Sequence, residues 1–147
     1  MTNSTIQADL EQIVNNFTAL TIDDKLALLW FVYKKMGQSI TPAAPGAAET
    51  EIAEGLYNQV KELSHQEQLE VQRNLFTGKD TLISREYGSL SDNTKLLFWY
   101  RLAQGMEAEV IIPMPENYEL GNKAKELLGN LESMDFEQQI TFLRKLV

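Results

Sequence analysis

The side chains in this sequence with the greatest capacity for binding chemistry are aromatic, and they recur at helical spacing. Leu26, Trp30 and Tyr33 stand at positions i, i+4 and i+7, which share one face of an α-helix. Trp99 and Tyr100 mark a second apolar segment. Large aromatic side chains fill helical cores, but they also form walls for apolar ligands and docking faces for partner helices. The pattern alone is most typical of a core, and it leaves the other two interpretations open.

Signals for metal binding and catalysis are weak by comparison. The chain has no cysteine and one histidine, His65, so thiolate nucleophiles and cysteine-based metal sites are excluded. Glu62 and His65 have the Glu-x-x-His spacing of di-iron helix bundles, but such a site needs two copies of this motif and two further carboxylates. Ser64, between them, has the pattern of a helix N-cap, which breaks their shared face. We therefore predict no metal site and no catalysis.

Charge and hydropathy narrow the class of protein. The 147-residue chain carries a formal net charge of -8, with 21 acidic and 13 basic residues. A nucleic-acid surface needs clustered Lys and Arg, so none is expected. The longest apolar run, from Leu26 to Tyr33, is far shorter than the roughly 20 residues that span a bilayer, and the N-terminus lacks a signal-peptide pattern. We expect an acidic cytoplasmic protein without a membrane span.

The elements that position these side chains are predicted to be helices. Apolar residues recur at three- and four-residue steps, glycine and proline separate the periodic segments, and no strand-like alternation of useful length occurs. The predicted fold class is all-α. One helix is expected over about 23–36 and ends at Gly37, and Ser64 with Glu67 predicts a capping box for another helix that ends at Gly78.

The sequence is internally duplicated. LALLWFVYKKMG, which contains Trp30, matches KLLFWYRLAQGM, which contains Trp99, and SHQEQLEVQRNL matches DFEQQITFLRKL. The matches share a period of about 70 residues. We predict a single domain over 1–147 with an N-terminal arm of about 1–18, a first repeat over about 19–78 and a second over about 88–147.

The duplication also predicts where a ligand would lie. Each repeat carries an apolar face that a short helical unit cannot bury alone, so two sub-bundles are expected to pack about an approximate two-fold axis. The junction between them is the natural cleft.

Four segments allow a more specific interpretation: DDKLALLWFVYKKMGQSITPAAPGAA, NTKLLFWYRLAQGM, IPMPENYEL and QQITFLRKLV. In order and spacing they resemble the N-terminal helical domain of the orange carotenoid protein and its stand-alone relatives, the helical carotenoid proteins. The resemblance covers nearly the whole chain from about Leu20. It implies two interleaved four-helix sub-bundles and one non-covalently bound ketocarotenoid, of the canthaxanthin, echinenone or 3'-hydroxyechinenone type, in the channel between them.

The resemblance also assigns residues to this channel by matching motifs. Trp99 and Tyr100 match an aromatic pair that contacts one end ring of the pigment, and Trp30 and Tyr33 match residues that flank the polyene. The full expected lining is Leu26, Leu29, Trp30 and Tyr33 from the first repeat, Ala44 and Pro45 from the turn after it, Leu96, Trp99, Tyr100, Ala103, Met106 and Met114 from the second repeat, and Ile140, Thr141, Arg144 and Val147 from the last helix.

The function that the resemblance implies is photoprotection. Singlet oxygen quenching ranks first because it needs only the bound polyene. Quenching of the phycobilisome antenna, which would place the protein at the thylakoid surface, ranks second: Arg144 matches an arginine that contacts the antenna, but a charge of -8 disfavours docking to an acidic partner. Carriage of pigment, to or from a separate C-terminal-domain-like carotenoid carrier protein, ranks third.

Two further expectations concern assembly. We expect no second domain after Val147 and therefore no light-gated switching between domains, and we expect the chain to be a monomer or a weak dimer. The alternative outside the pigment-binding class is a helical protein-interaction module that uses the Trp30 and Trp99 faces to bind a partner helix.

Overall fold

The computed structural model describes residues 3–40, 50–115 and 117–146. Eight helices and no strand lie within these residues, which confirms the predicted all-α class. The helices are α1 (Asn3–Thr18), α2 (Ile22–Ile40), α3 (Thr50–Lys61), α4 (His65–Thr77), α5 (Leu82–Gly88), α6 (Asp92–Glu107), α7 (Asn122–Ser133) and α8 (Phe136–Leu146).

The helices form two four-helix bundles whose members are not all consecutive in sequence. In the first bundle, α1 and α2 contact α7 and α8; in the second, α3 contacts α4, α5 and α6, and α4 contacts α5. Contacts of α2 with α4 and α6, and of α6 with α8, join the bundles. The two halves of the chain, α1–α4 and α5–α8, make equivalent contacts. When each helix is replaced by its counterpart four helices away, the α2–α7 contact corresponds to the α6–α3 contact, and the α2–α4 contact corresponds to the α6–α8 contact. The expected interleaved sub-bundles, related by an approximate two-fold, are confirmed.

Local sequence determines where several helices begin and end. Ser64 Oγ accepts a hydrogen bond from Glu67 N while the Glu67 carboxylate accepts one from Ser64 N, so the predicted capping box opens α4. Gly78 ends α4 with φ 75°, in the left-handed region that favours glycine. Thr81 and Ser91 cap α5 and α6 through their hydroxyl oxygens.

The predicted end of α2 at Gly37 is wrong, because the helix continues to Ile40. Glycine inside a helix costs only about 1 kcal/mol relative to alanine. Leu28, Leu29 and Val32 bury the apolar face of α2 in the core, and this burial stabilises the helix by more than a glycine can oppose.

The centre of the core holds a cluster of aromatic rings around Trp99. The Trp99 ring stacks on Phe76 with centroids 5.5 Å apart, and Tyr87 and Phe98 meet it edge-on. Phe17 of α1 extends the cluster by packing against Phe76, with ring centroids 6.0 Å apart. Trp99 Nε1 donates a hydrogen bond to Tyr87 Oη at 2.8 Å, so its polar atom is satisfied although the side chain is buried.

Within the part of the chain that the structure describes, none of the helices has the length and apolar character needed to traverse a bilayer.

Candidate functional site between the two bundles

Two adjoining cavities lie where α2, α4 and α6 meet, at the junction that the duplication predicts as a cleft. The larger, the loop cavity, has a volume of about 140 Å³ and is lined by Asp23, Leu26, Ala27, Leu69, Gln72, Arg73, Met106, Ile112, Pro113, Met114, Pro115 and Tyr118. The smaller, the aromatic cavity, has a volume of about 10 Å³ and is lined by Leu26, Leu29, Trp30, Tyr33, Gln72, Trp99, Leu102, Ala103 and Met106. Leu26, Gln72 and Met106 line both cavities and therefore stand between them.

The wall of the loop cavity is mainly apolar, and its charged residues are already paired. Arg73 Nε and Nη2 donate to the carboxylate of Asp23 at 2.9 and 3.2 Å. Tyr118 Oη donates to Asp24 Oδ1 at 2.7 Å. Burial, followed by this hydrogen bond, raises the pKa of Tyr118 to about 12. The cavity therefore presents aliphatic surface with a neutralised polar edge.

The loop after α6 is held against α4 by a buried glutamine. Gln68 Nε2 donates to Val110 O at 3.1 Å, and Gln68 Oε1 accepts a hydrogen bond from Ile112 N at 2.8 Å. Gly105 permits the close approach of the loop, because a Cβ at this position would lie 2.5 Å from Ile111 Cγ1. These contacts place the apolar VIIPMP segment as one wall of the loop cavity.

The aromatic cavity joins the two repeated helices, α2 and α6. Tyr33 Oη donates to the backbone carbonyl of Leu96 at 2.9 Å, and the rings of Tyr33 and Tyr100 lie with centroids 6.1 Å apart. Burial raises the pKa of Tyr33 well above its ordinary range, so the hydroxyl remains a protonated donor. Tyr33 is thus a fixed part of the wall.

The two tryptophans of the aromatic cavity differ in how firmly they are held. Trp99 is buried within the aromatic cluster and bonded to Tyr87. Trp30 is only partly buried, and Lys34 Nζ lies 5.6 Å from its ring centroid. A cation over an aromatic face at an exposed position contributes about 0.5–1 kcal/mol. Among the described contacts, Trp30 has neither the buried hydrogen bond nor the ring stacking that hold Trp99 in place.

The structure brings together most of the predicted site residues that it describes. Those that line one or both cavities are Leu26, Leu29, Trp30, Tyr33, Trp99, Ala103, Met106 and Met114. Leu96 and Tyr100 contact Tyr33 without lining either cavity. Ala44, Pro45 and Val147 lie outside the described residues.

The predicted residues on α8 line neither cavity. Ile140 is buried in the core. Thr141 is exposed and its hydroxyl donates to Glu137 O, and Arg144 is exposed and donates from Nε to Asn93 Oδ1 at 2.9 Å. Their place in a longer channel stays a prediction.

Sequence reasoning did not select Leu69, Gln72 or Tyr118, all of which line the loop cavity. A signal for Gln72 exists in the periodicity of α4. Gln68 and Gln72 are four residues apart on the buried face of a helix, with Phe76 another four residues on. A polar residue on the buried face of a helix normally has a hydrogen-bond partner, so its presence there indicates a contact with another element or a ligand. No comparable signal marks Tyr118.

The Glu62 and His65 pair does not share a helix. Glu62 follows the end of α3, and His65 is the first residue of α4 after the N-cap Ser64. Among the residues described, no three His, Cys, Asp or Glu side chains are grouped so as to hold a metal ion. The two cavities offer a ligand apolar contacts, aromatic rings for stacking and the side-chain amide of Gln72.

Comparison with known proteins identifies this arrangement. Residues 3–147 match the family model described as orange carotenoid protein, N-terminal. The chain belongs to this family. The resemblance inferred from the four sequence segments is confirmed.

Two relatives differ in the share of their length that this chain covers. The chain is 52% identical over 131 residues to an orange carotenoid-binding domain-containing protein of Nostoc sp. (strain PCC 7120). The aligned region covers 89% of this chain and 77% of the relative. It is 37% identical to the orange carotenoid-binding protein of Synechocystis sp. (strain PCC 6803), over 98% of this chain and 46% of the relative. The chain thus spans about half the length of the second protein.

Solved structures of the orange carotenoid protein family have the same fold. The Red Carotenoid Protein of Anabaena (Nostoc) sp. PCC 7120, binding canthaxanthin, superimposes with a TM-score of 0.86 at 47% identity, and 95% of each chain is covered. The Orange Carotenoid Protein of the same organism, also binding canthaxanthin, gives a TM-score of 0.83 at 37% identity over 99% of this chain and 50% of that one.

Proposed function

We propose that this chain binds one ketocarotenoid non-covalently between its two bundles and acts in photoprotection by quenching singlet oxygen. The observation that carries the proposal is the pair of adjoining cavities, lined mainly by apolar and aromatic side chains from both repeated helices, in a member of this family. When bound, a conjugated polyene supplies the chemistry, because it accepts excitation energy and releases it as heat. The protein's part is to hold, orient and enclose the polyene.

The loop cavity has the size and polarity to hold an end ring of such a pigment. Its volume of about 140 Å³ is close to the roughly 150 Å³ of an engineered apolar protein cavity that binds benzene. Leu26, Ala27, Met106 and Ile112 give it an aliphatic surface. A six-membered ring with an oxygen substituent is thus a ligand of matching scale.

The aromatic cavity has the residues to enclose a polyene but needs side-chain movement to admit one. Its volume of about 10 Å³ is far below the roughly 300–1,000 Å³ of ligand pockets in general. Leu26, Trp30 and Met106 are only partly buried, and methionine adapts readily to new surroundings. Tyr33 and Trp99 are held by buried hydrogen bonds. We propose that the first three side chains rotate while the last two stay in place.

The experiment that tests the function is production of the protein in cells that make canthaxanthin and in cells that make no carotenoid. We expect the first preparation to carry a visible absorption band at about one pigment per chain and the second to be colourless. The pigmented protein should shorten the phosphorescence lifetime of singlet oxygen more than the colourless protein does. Colourless protein from both hosts would refute the proposal and favour the helical interaction module.

Antenna quenching is a second candidate, favoured by one observation. The exposed Arg144 donates to Asn93 and forms no salt bridge with a described carboxylate, which leaves its charge available to an acidic partner. The net charge of -8 opposes such docking. Fluorescence of isolated phycobilisomes with added pigmented protein tests it: salt-sensitive quenching that Arg144→Gln abolishes would support it, and unchanged fluorescence would exclude it.

A further inference from the structure

The buried face of α4 carries two glutamines with opposite hydrogen-bonding states. Gln68 is 1% exposed, and both ends of its amide are used, by Val110 O and Ile112 N. Gln72, one turn later, is 5% exposed, and its Nε2 is buried with no hydrogen-bond partner among the described residues. A glutamine amide nitrogen carries two N–H donors. Buried donors without partners are rare in folded proteins, so this one calls for a physical explanation.

The position of Gln72 supplies that explanation. Gln72 lines both cavities, as do the apolar side chains of Leu26 and Met106. The other polar residues of the loop cavity are engaged elsewhere, since Arg73 pairs with Asp23 and the Tyr118 hydroxyl bonds to Asp24. Gln72 therefore stands at the junction of the two cavities, where a ring in the loop cavity would continue into a polyene in the aromatic cavity.

We propose that Gln72 is a specificity-determining residue that donates a hydrogen bond to the keto oxygen of the pigment's end ring. This inference rests on the proposed function and adds a reason for the choice of pigment. A keto oxygen is an acceptor that satisfies the donor, whereas a hydrocarbon ring leaves the donor buried and unpaired. Sites that hold a buried polar group discriminate strongly against an analogue that lacks its partner.

The proposal also has a spectroscopic consequence. A keto group on the end ring is conjugated with the polyene, so a hydrogen bond to its oxygen draws electron density along the conjugated system and lowers the energy of the absorbing transition. Removal of the donor should therefore move the visible band to shorter wavelength. A water molecule in the loop cavity would pair the same donor without contact with the ring, and it would give neither selectivity nor this shift.

The test is a competition between canthaxanthin and β-carotene, which lacks keto groups, for the pigment-free protein. Wild type is compared with Gln72→Leu and with Gln66→Leu, a matched control that removes an exposed glutamine of the same helix. We expect wild type and Gln66→Leu to bind canthaxanthin in large excess. Gln72→Leu should reduce that preference by about tenfold and shift the canthaxanthin band to shorter wavelength.

The possible outcomes separate this inference from the function on which it rests. If all three proteins bind both pigments with the same preference and the same band, Gln72 is not the selective donor although carotenoid binding stands. If wild type binds neither pigment, both proposals fail. Gln72→Met gives the same comparison should Gln72→Leu not fold. The pigment-free Gln72→Met protein should melt no lower than wild type, because no hydrogen bond within the described residues is lost.

Discussion

The hydroxyl of Tyr33 on α2 donates a hydrogen bond to the backbone carbonyl of Leu96 on α6 at 2.9 Å, across a sequence separation of 63. This buried bond ties together the two helices that carry the repeated aromatic segment. It also fixes the ring of Tyr33 in the wall of the aromatic cavity. One side chain thus connects the stability of the bundle junction with the shape of the candidate site.

Tyr33→Phe should therefore lower the free energy of unfolding of the pigment-free protein by about 1 kcal/mol, the contribution of one buried hydrogen bond. The ring remains, so the cavity wall and the pigment stoichiometry should be preserved. Urea unfolding followed by circular dichroism measures the first effect and the visible spectrum the second. Tyr100→Phe is the control, since the described hydrogen bonds include none from its hydroxyl, and it should unfold at the wild-type urea concentration. Equal midpoints for all three proteins would contradict the assigned bond.

The helical elements were predictable because their signals are local. The capping box formed by Ser64 and Glu67 lies within four residues, and the apolar stripe of α2 from Leu26 to Tyr33 lies within about two helical turns. Each can therefore be recognised without knowledge of the rest of the chain. The end of α2 was not predictable from Gly37, because burial against other helices overrides a local preference of about 1 kcal/mol.

The loop cavity was harder to predict because long-range contacts assemble it. Periodicity shows which face of α4 is buried but not that Gln68 holds the loop after α6, over a sequence separation of 44. In the same way, a hydrogen bond to Asp24, over a sequence separation of 94, positions Tyr118 in the wall of the loop cavity. Such pairings depend on the packing of complete helices, and no short segment encodes them.

The two tryptophans should respond differently to replacement by alanine. Trp99→Ala removes the centre of the aromatic cluster and should destabilise the protein by about 3–5 kcal/mol. Trp30→Ala removes a partly exposed ring and should cost markedly less stability, yet it should reduce the amount of co-purified pigment several-fold. Thermal melts of the pigment-free proteins and the pigment-to-protein ratio distinguish the two effects. Leu82→Ala, at a side chain that is largely exposed on α5, is the control and should change neither.

The loop cavity should be sensitive to the size of residue 105. Gly105→Ala would place a Cβ 2.5 Å from both Ile111 Cγ1 and Tyr57 Oη, and relief of this overlap should cost about 1–3 kcal/mol. Because the displaced loop forms a wall of the loop cavity, pigment binding should weaken as well. Gly55→Ala in α3 is the matched control: its Cβ meets nothing within 4 Å, so the better helix propensity of alanine should stabilise the protein by about 0.5–1 kcal/mol. Equal stability of the two variants would argue against close packing at Gly105.

Stability at alkaline pH should depend on Tyr118. Burial, together with the hydrogen bond to Asp24, raises its pKa from 10.0 to about 12 in the folded state. Above pH 10 the unfolded chain therefore loses a proton that the folded chain keeps, and stability falls. The contribution is complete below pH 10 and is lost as the pH rises through about 12.

Urea midpoints measured below pH 10 and near pH 12 test this dependence. The wild-type midpoint should fall over this interval, and Tyr118→Phe should show a shallower fall because it has no hydroxyl to ionise at this position. Asp24→Asn, which removes the acceptor's negative charge but keeps an oxygen, should give an intermediate slope, since burial alone still raises the pKa of the hydroxyl. Parallel curves for wild type and Tyr118→Phe would show that the pKa of Tyr118 is not raised in the folded protein, and would contradict both its burial and its hydrogen bond to Asp24.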